Sequence, residues 1–186
     1  MDQPVNLASI QLQFHCGPYT LTGTGRRASR VHPQVYHLTL RRDIISRCIR
    51  WLLALCLPNS AHALGLLPPL WCLPPTVVLK TLKPDWEEEF AKEVRVYKRL
   101  KPLQGSVIPI FYGQARCDDG TPALVLSDVG GKALGEDDVL EMDEAELRRM
   151  LEESLSAMVS LGFEHDDIKL DNFRLEEESA LQQRRV

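Results

Sequence analysis

The sequence predicts an α+β fold carried mainly by one domain. Three observations predict it. Short stretches rich in β-formers or alternating apolar and polar residues recur at 10–14, 19–25, 31–40, 76–82, 107–113 and 123–126. Two longer stretches, 85–101 and 143–162, carry apolar stripes at helical spacing behind capping-box signatures. After the second of these, a polar loop places His165, Asp167 and Asn172 at the spacing H-x-D-x-x-x-x-N.

The 186 residues are enough for a sizeable core. The formal charge is −4 and no basic stripe dominates, so nucleic acid is not an expected partner. Five cysteines are scattered with no C-x-x-C pair, which supports neither a zinc site nor a disulfide framework. Reduced thiols and a cytoplasmic location are the expectation. Residues 1–9 lack the basic start and apolar run of a secretory signal.

In chain order, Ile10, Leu12 and Phe14 alternate with Gln11 and Gln13, as in a half-buried strand. A second β-rich stretch ends in Gly23-Thr24-Gly25, followed by Arg26 and Arg27. With the strand that follows it forms a hairpin, with the glycines expected at its tip. Such a tip either cradles phosphates through backbone N–H groups or is an ordinary turn. The first 40 residues are therefore read as N-terminal strands around a Gly-x-Gly turn.

Residues 41–75 differ from their neighbours. No Asp, Glu, Lys or Arg occurs over 51–79. The length would allow a membrane span of about 20 residues. Pro58, Pro68, Pro69, Pro74 and Pro75 argue against one continuous helix. A short amphipathic helix followed by a proline-rich insertion is the preferred reading, either packed loosely on the domain or offering a partner-docking surface. Membrane association through 51–73 is the alternative.

Thr76-Val77-Val78-Leu79-Lys80 reads as a strand with Lys80 on the same face as Val78. A lysine among apolar neighbours needs an anion. Asp85 and Glu88 resemble a capping box for a helix reaching about Lys101. Phe90, Val94, Tyr97 and Leu100 form its apolar stripe, and Glu93 falls inside that stripe. Glu93 is therefore the expected partner of Lys80. Asp119-Gly120 signals a hairpin turn before the buried strand at 123–126, which leads into a glycine-containing connector. Asp143 and Glu146 begin the second helix, with Met158 and Val159 on its stripe and Gly162 at its end. Residues 176–186 read as a charged tail.

The order of these parts resembles the protein-kinase-like superfamily, and in particular the divergent kinase-like proteins of filamentous fungi. The resemblance spans roughly 76–175. It implies an antiparallel N-lobe sheet with one helix, plus the start of a helical C-lobe. It implies ATP and Mg²⁺ as cofactors, and transfer of the γ-phosphate to a hydroxyl on a protein or small molecule. Lys80 would contact the α- and β-phosphates and Glu93 would pair with it. Val78 and Leu126 would line the adenine pocket, and the backbone of Ser127 and Val129 would meet the base edge. Asp167 would be the catalytic base, Lys169 would stabilise the γ-phosphate, Asn172 would hold Mg²⁺, and His165 would be structural. Asp166 stands where the family usually has Arg, and no Asp-Phe-Gly segment follows Asn172. Little phosphotransfer is expected from this chain, with a non-catalytic interaction module as the alternative.

Overall fold

The computed structural model describes residues 9–28, 32–41, 73–133, 143–163 and 173–175. Contacts divide the chain into two units, Met1–Lys98 with Ile110–Asp128, and Arg99–Pro109 with Val129–Val186.

The first unit is built on six antiparallel strands: β1 (Ile10–Cys16), β2 (Tyr19–Arg27), β3 (Val35–Arg41), β4 (Thr76–Thr81), β5 (Phe111–Cys117) and β6 (Pro122–Ser127). They close into a barrel in the order β1-β2-β3-β4-β6-β5. Period-two alternation fills the interior: Phe14, Leu38, Val77, Leu79 and Val125 are each at most 1% exposed. The seam between β1 and β5 is short, with Phe14 opposite Cys117 and His15 opposite Arg116. Three further contacts reinforce it. Asp118 N–H donates to Gln13 O at 3.3 Å, His15 Nε2 lies 3.1 Å from Asp118 Oδ1, and Cys16 Sγ–H donates to Gln114 O at 3.5 Å.

This closed barrel with two helices replaces the kinase-like arrangement that the sequence suggested, an N-lobe sheet followed by a helical lobe. The reason lies in β1. Its outward residues are polar and its inward residues apolar, so it pairs with β2 on one side and β5 on the other and leaves no open sheet edge. The glycines also take a different role. Gly23 and Gly25 sit inside β2, opposite Leu40 and Leu38, and not at the hairpin tip. A Cβ on Gly25 would lie 1.8 Å from His37 O, so close strand packing demands glycine there.

Helix α1 (Glu87–Arg99) follows β4. Phe90 N–H donates to Trp86 O at 3.0 Å, which makes Trp86 the cap residue. Asp85, expected as the cap, precedes it in a left-handed conformation, φ +64°. Val94 of α1 is buried with Leu124 and Leu126 on the outer face of the barrel, flanked by Val78, Phe90, Tyr97 and Phe111. Tyr97 and Phe111 stack with ring centroids 5.4 Å apart. The strand expected from Val107 begins at Phe111.

In the second unit, helix α2 (Glu144–Ser160) is capped by Asp143, whose Oδ2 accepts from Glu146 N–H at 3.1 Å. It ends at Gly162, which is left-handed at φ +67°. Met158 is buried, whereas Val159, expected on the same stripe, is 57% exposed. Two short strands, β7 (Lys132–Ala133) and β8 (Arg174–Leu175), pair antiparallel. Among the described residues no helix is long and apolar enough to cross a membrane. The apolar stretch 42–72 lies outside them.

Candidate functional site

Lys80 and Val78 point outward from β4, because Val77 and Leu79 face the barrel interior. The helical period of α1 turns Glu93 toward the same face. Lys80 Nζ donates to Glu93 Oε1 at 2.7 Å, and the two side chains keep 33% and 27% of their exposure. The pair is thus charge-compensated yet reachable by a ligand. Burial, and secondarily the Glu93 carboxylate, push the Tyr97 phenol well above its ordinary range.

The same outer face continues away from Lys80. Arg26 pairs with His37, His37 with Val78, and Val78 with Leu126, so four strands contribute one row. Two residue pairs further, on the same face, Thr39 lies opposite Thr76. An open pocket of about 360 Å³ lies here, lined by Gly25, Arg26, His37, Thr39, Thr76 and Asp128 among others. His37 Nδ1 lies 3.1 Å from Asp128 Oδ2. From Thr76 to Lys80 is four residues, about 13 Å along the strand.

The residues expected at the site therefore separate into groups. Lys80, Glu93 and Val78 share one face. Leu126 is on the same row but only 5% exposed, packed with Val94 and Leu124, so it offers a ligand little surface. Ser127 is engaged with Ile110: its N–H donates to Ile110 O and its Oγ accepts from Ile110 N–H, both at 2.9 Å. Val129, in the second unit, is exposed. His165, Asp167, Lys169 and Asn172 lie outside the described residues. Asn172, expected to hold Mg²⁺, is one of these, and among the described residues no group of three or more His, Cys, Asp or Glu could hold a metal ion.

Sequence reading missed Arg26, His37 and Asp128 as site residues. Nothing local announces them: His37 and Asp128 are 91 residues apart and meet only because β3 and β6 both flank β4. No family model, curated protein or solved structure matches this chain.

Proposed function

We propose that this chain binds a purine nucleoside triphosphate on the outer face of β3 and β4, ATP being the one the kinase-like motifs imply. Lys80 Nζ meets the phosphates, Glu93 holds it in place, and the base lies toward His37 and Thr76. The observation that carries the reading is the 2.7 Å Lys80–Glu93 pair with a pocket farther along the same face. A cation held by one carboxylate, and still partly exposed, can take a phosphate oxygen without leaving a buried charge unpaired. A pocket of about 360 Å³ falls at the small end of the roughly 300–1,000 Å³ typical of ligand sites.

Transfer of the γ-phosphate to a hydroxyl is the second half of the proposal and rests on the spacing of Asp167, Lys169 and Asn172 alone. We expect that activity to be weak. A reducing compartment rich in nucleotides, the cytoplasm, suits the reading, since Cys16 and Cys117 are both free thiols.

The test is thermal unfolding of the purified chain with and without Mg-ATP, alongside Lys80→Ala. A ligand that binds only the folded state raises the midpoint. A shift in the wild type that disappears in Lys80→Ala supports the proposal. A cooperative transition that nucleotide does not move overturns it.

A further inference from the structure

Two tight hairpins bring a hydroxyl, an imidazole and a carboxylate together on the outside of the barrel. The β1–β2 hairpin closes with Cys16 opposite Tyr19 and puts His15 opposite Thr20. The β5–β6 hairpin is closed by Cys117 N–H donating to Thr121 O and Gly120 N–H donating to Cys117 O, each at 2.8 Å. Asp118 N–H ties that turn to Gln13 O. The two hairpins meet at His15, whose Nδ1 lies 3.0 Å from Thr20 Oγ1 and whose Nε2 lies 3.1 Å from Asp118 Oδ1. Arg116, opposite His15 on β5, donates to Gly120 O at 2.7 Å and leaves the Asp118 carboxylate to His15. An ionised carboxylate only accepts hydrogen bonds, so Asp118 fixes the ring proton on Nε2 and turns the Nδ1 lone pair toward the Thr20 hydroxyl. A hydroxyl on a base that a third group orients is the arrangement that activates a nucleophile. His15 and Asp118 keep 44% and 52% of their side-chain exposure and Thr20 is exposed, so a substrate can reach all three.

We infer that Thr20, His15 and Asp118 form a second site, one for acyl transfer from activated carboxylic esters. Thr20 Oγ bonds to the ester carbonyl carbon as its proton passes to His15 Nδ1. The tetrahedral adduct then expels the alcohol, which takes that proton as the C–O bond breaks. Water, deprotonated by Nδ1 in the same way, attacks the acyl-threonine. The carboxylic acid leaves and Thr20 Oγ recovers its proton from Nδ1. Thr20 and His15 are the catalytic residues, and Asp118 is a positioning residue. The inference is independent of the nucleotide reading, because Thr20 lies six residues before Arg26 on β2, about 20 Å along the strand.

Reaction of the full chain with 4-nitrophenyl acetate, followed by release of 4-nitrophenol and by mass spectrometry of the acid-quenched chain, tests this. An acetyl-threonine is a plain alkyl ester, less reactive than the aryl ester that formed it, so it accumulates. We expect a burst of 4-nitrophenol stoichiometric with the chain, and an acetyl group on Thr20. Thr20→Val, which keeps the shape, and His15→Gln should each slow the burst roughly a hundredfold, the lower end of what a positioned base contributes. Asp118→Asn should slow acylation and deacylation together, lowering kcat at unchanged KM. The wild-type burst needs no variant, so the inference stays open to refutation where a variant does not fold. Acetylation confined to lysines, with Thr20 unmodified, overturns it, and so does Thr20→Val reacting at the wild-type rate. An Asp118→Asn chain with a lowered unfolding midpoint and an unchanged kcat overturns the role of Asp118.

Discussion

Lys80 on β4 and Glu93 on α1 are 13 residues apart and meet at 2.7 Å, and this contact ties the helix to the barrel at the edge of a buried apolar patch. Both side chains are about a third exposed, so solvent screens the pair. Its contribution to stability is therefore about 1 kcal/mol or less. Lys80→Ala is expected to lower the unfolding midpoint slightly and to abolish the nucleotide-dependent shift. Glu93→Gln, which keeps the shape and removes the charge, should weaken nucleotide binding less than Lys80→Ala does. Parallel melts of the two variants with and without ligand measure both effects.

Gly25→Ala should destabilise the barrel strongly, because the new methyl would lie 1.8 Å from His37 O and a backbone atom cannot step aside. Overpacking of this severity costs about 3 kcal/mol or more. Gly17→Ala is the control. Gly17 is left-handed at φ +59° with nothing within 4 Å of the added carbon, so only the backbone preference is lost, about 1 kcal/mol. Denaturant midpoints of the two variants check the contrast.

Tyr97 gives the fold a defined response to alkali. Burial, and then the Glu93 carboxylate, hold its phenol neutral above the ordinary value of 10.0. The folded state therefore binds the phenolic proton more tightly than the unfolded state does. This contribution is complete below pH 10 and is lost progressively as pH rises above it. Tyr97→Phe should flatten the decline in stability above pH 10, as read from unfolding curves at a series of alkaline pH values.

Cys16 and Cys117 should react slowly with thiol reagents in the native chain. Burial raises the pKa of both thiols, and for Cys117 the carboxylates of Asp119 and Asp118 add to it. The thiolate is the reactive form, so less of it is present at neutral pH than in an exposed cysteine. Site-resolved alkylation followed by mass spectrometry should show both sites rising in rate with pH and becoming fast on denaturation.

Asp143→Ala should loosen the start of α2 by about 1 kcal/mol, since it removes the acceptor of Glu146 N–H. Faster amide exchange confined to the first turn of the helix is the expected result.

How much of this was legible beforehand follows from the range of each interaction. The alternation 76–80 put Lys80 on one face with Val78, the helical period brought Glu93 to meet it, and Asp143 and Gly162 marked the ends of a helix. Each of these depends on neighbours a few residues away, and a sequence carries that information directly. The Asp85 cap and Val159 failed because neighbouring structure outweighed local preference: Trp86 took the cap position, and Val159 stayed on the exposed side.

The sequence by itself determined most of the strand and helix segments among the described residues, and the Lys80–Glu93 pair. Only the tertiary structure decided that β1 would close a six-stranded barrel, that Gly23 and Gly25 would serve strand packing, and that Arg26, His37 and Asp128 would line one pocket. The physical reason is that closure and pocket depend on which strands become neighbours. That choice is made by the whole set of pairings competing to bury one core, and no single stretch of sequence specifies it.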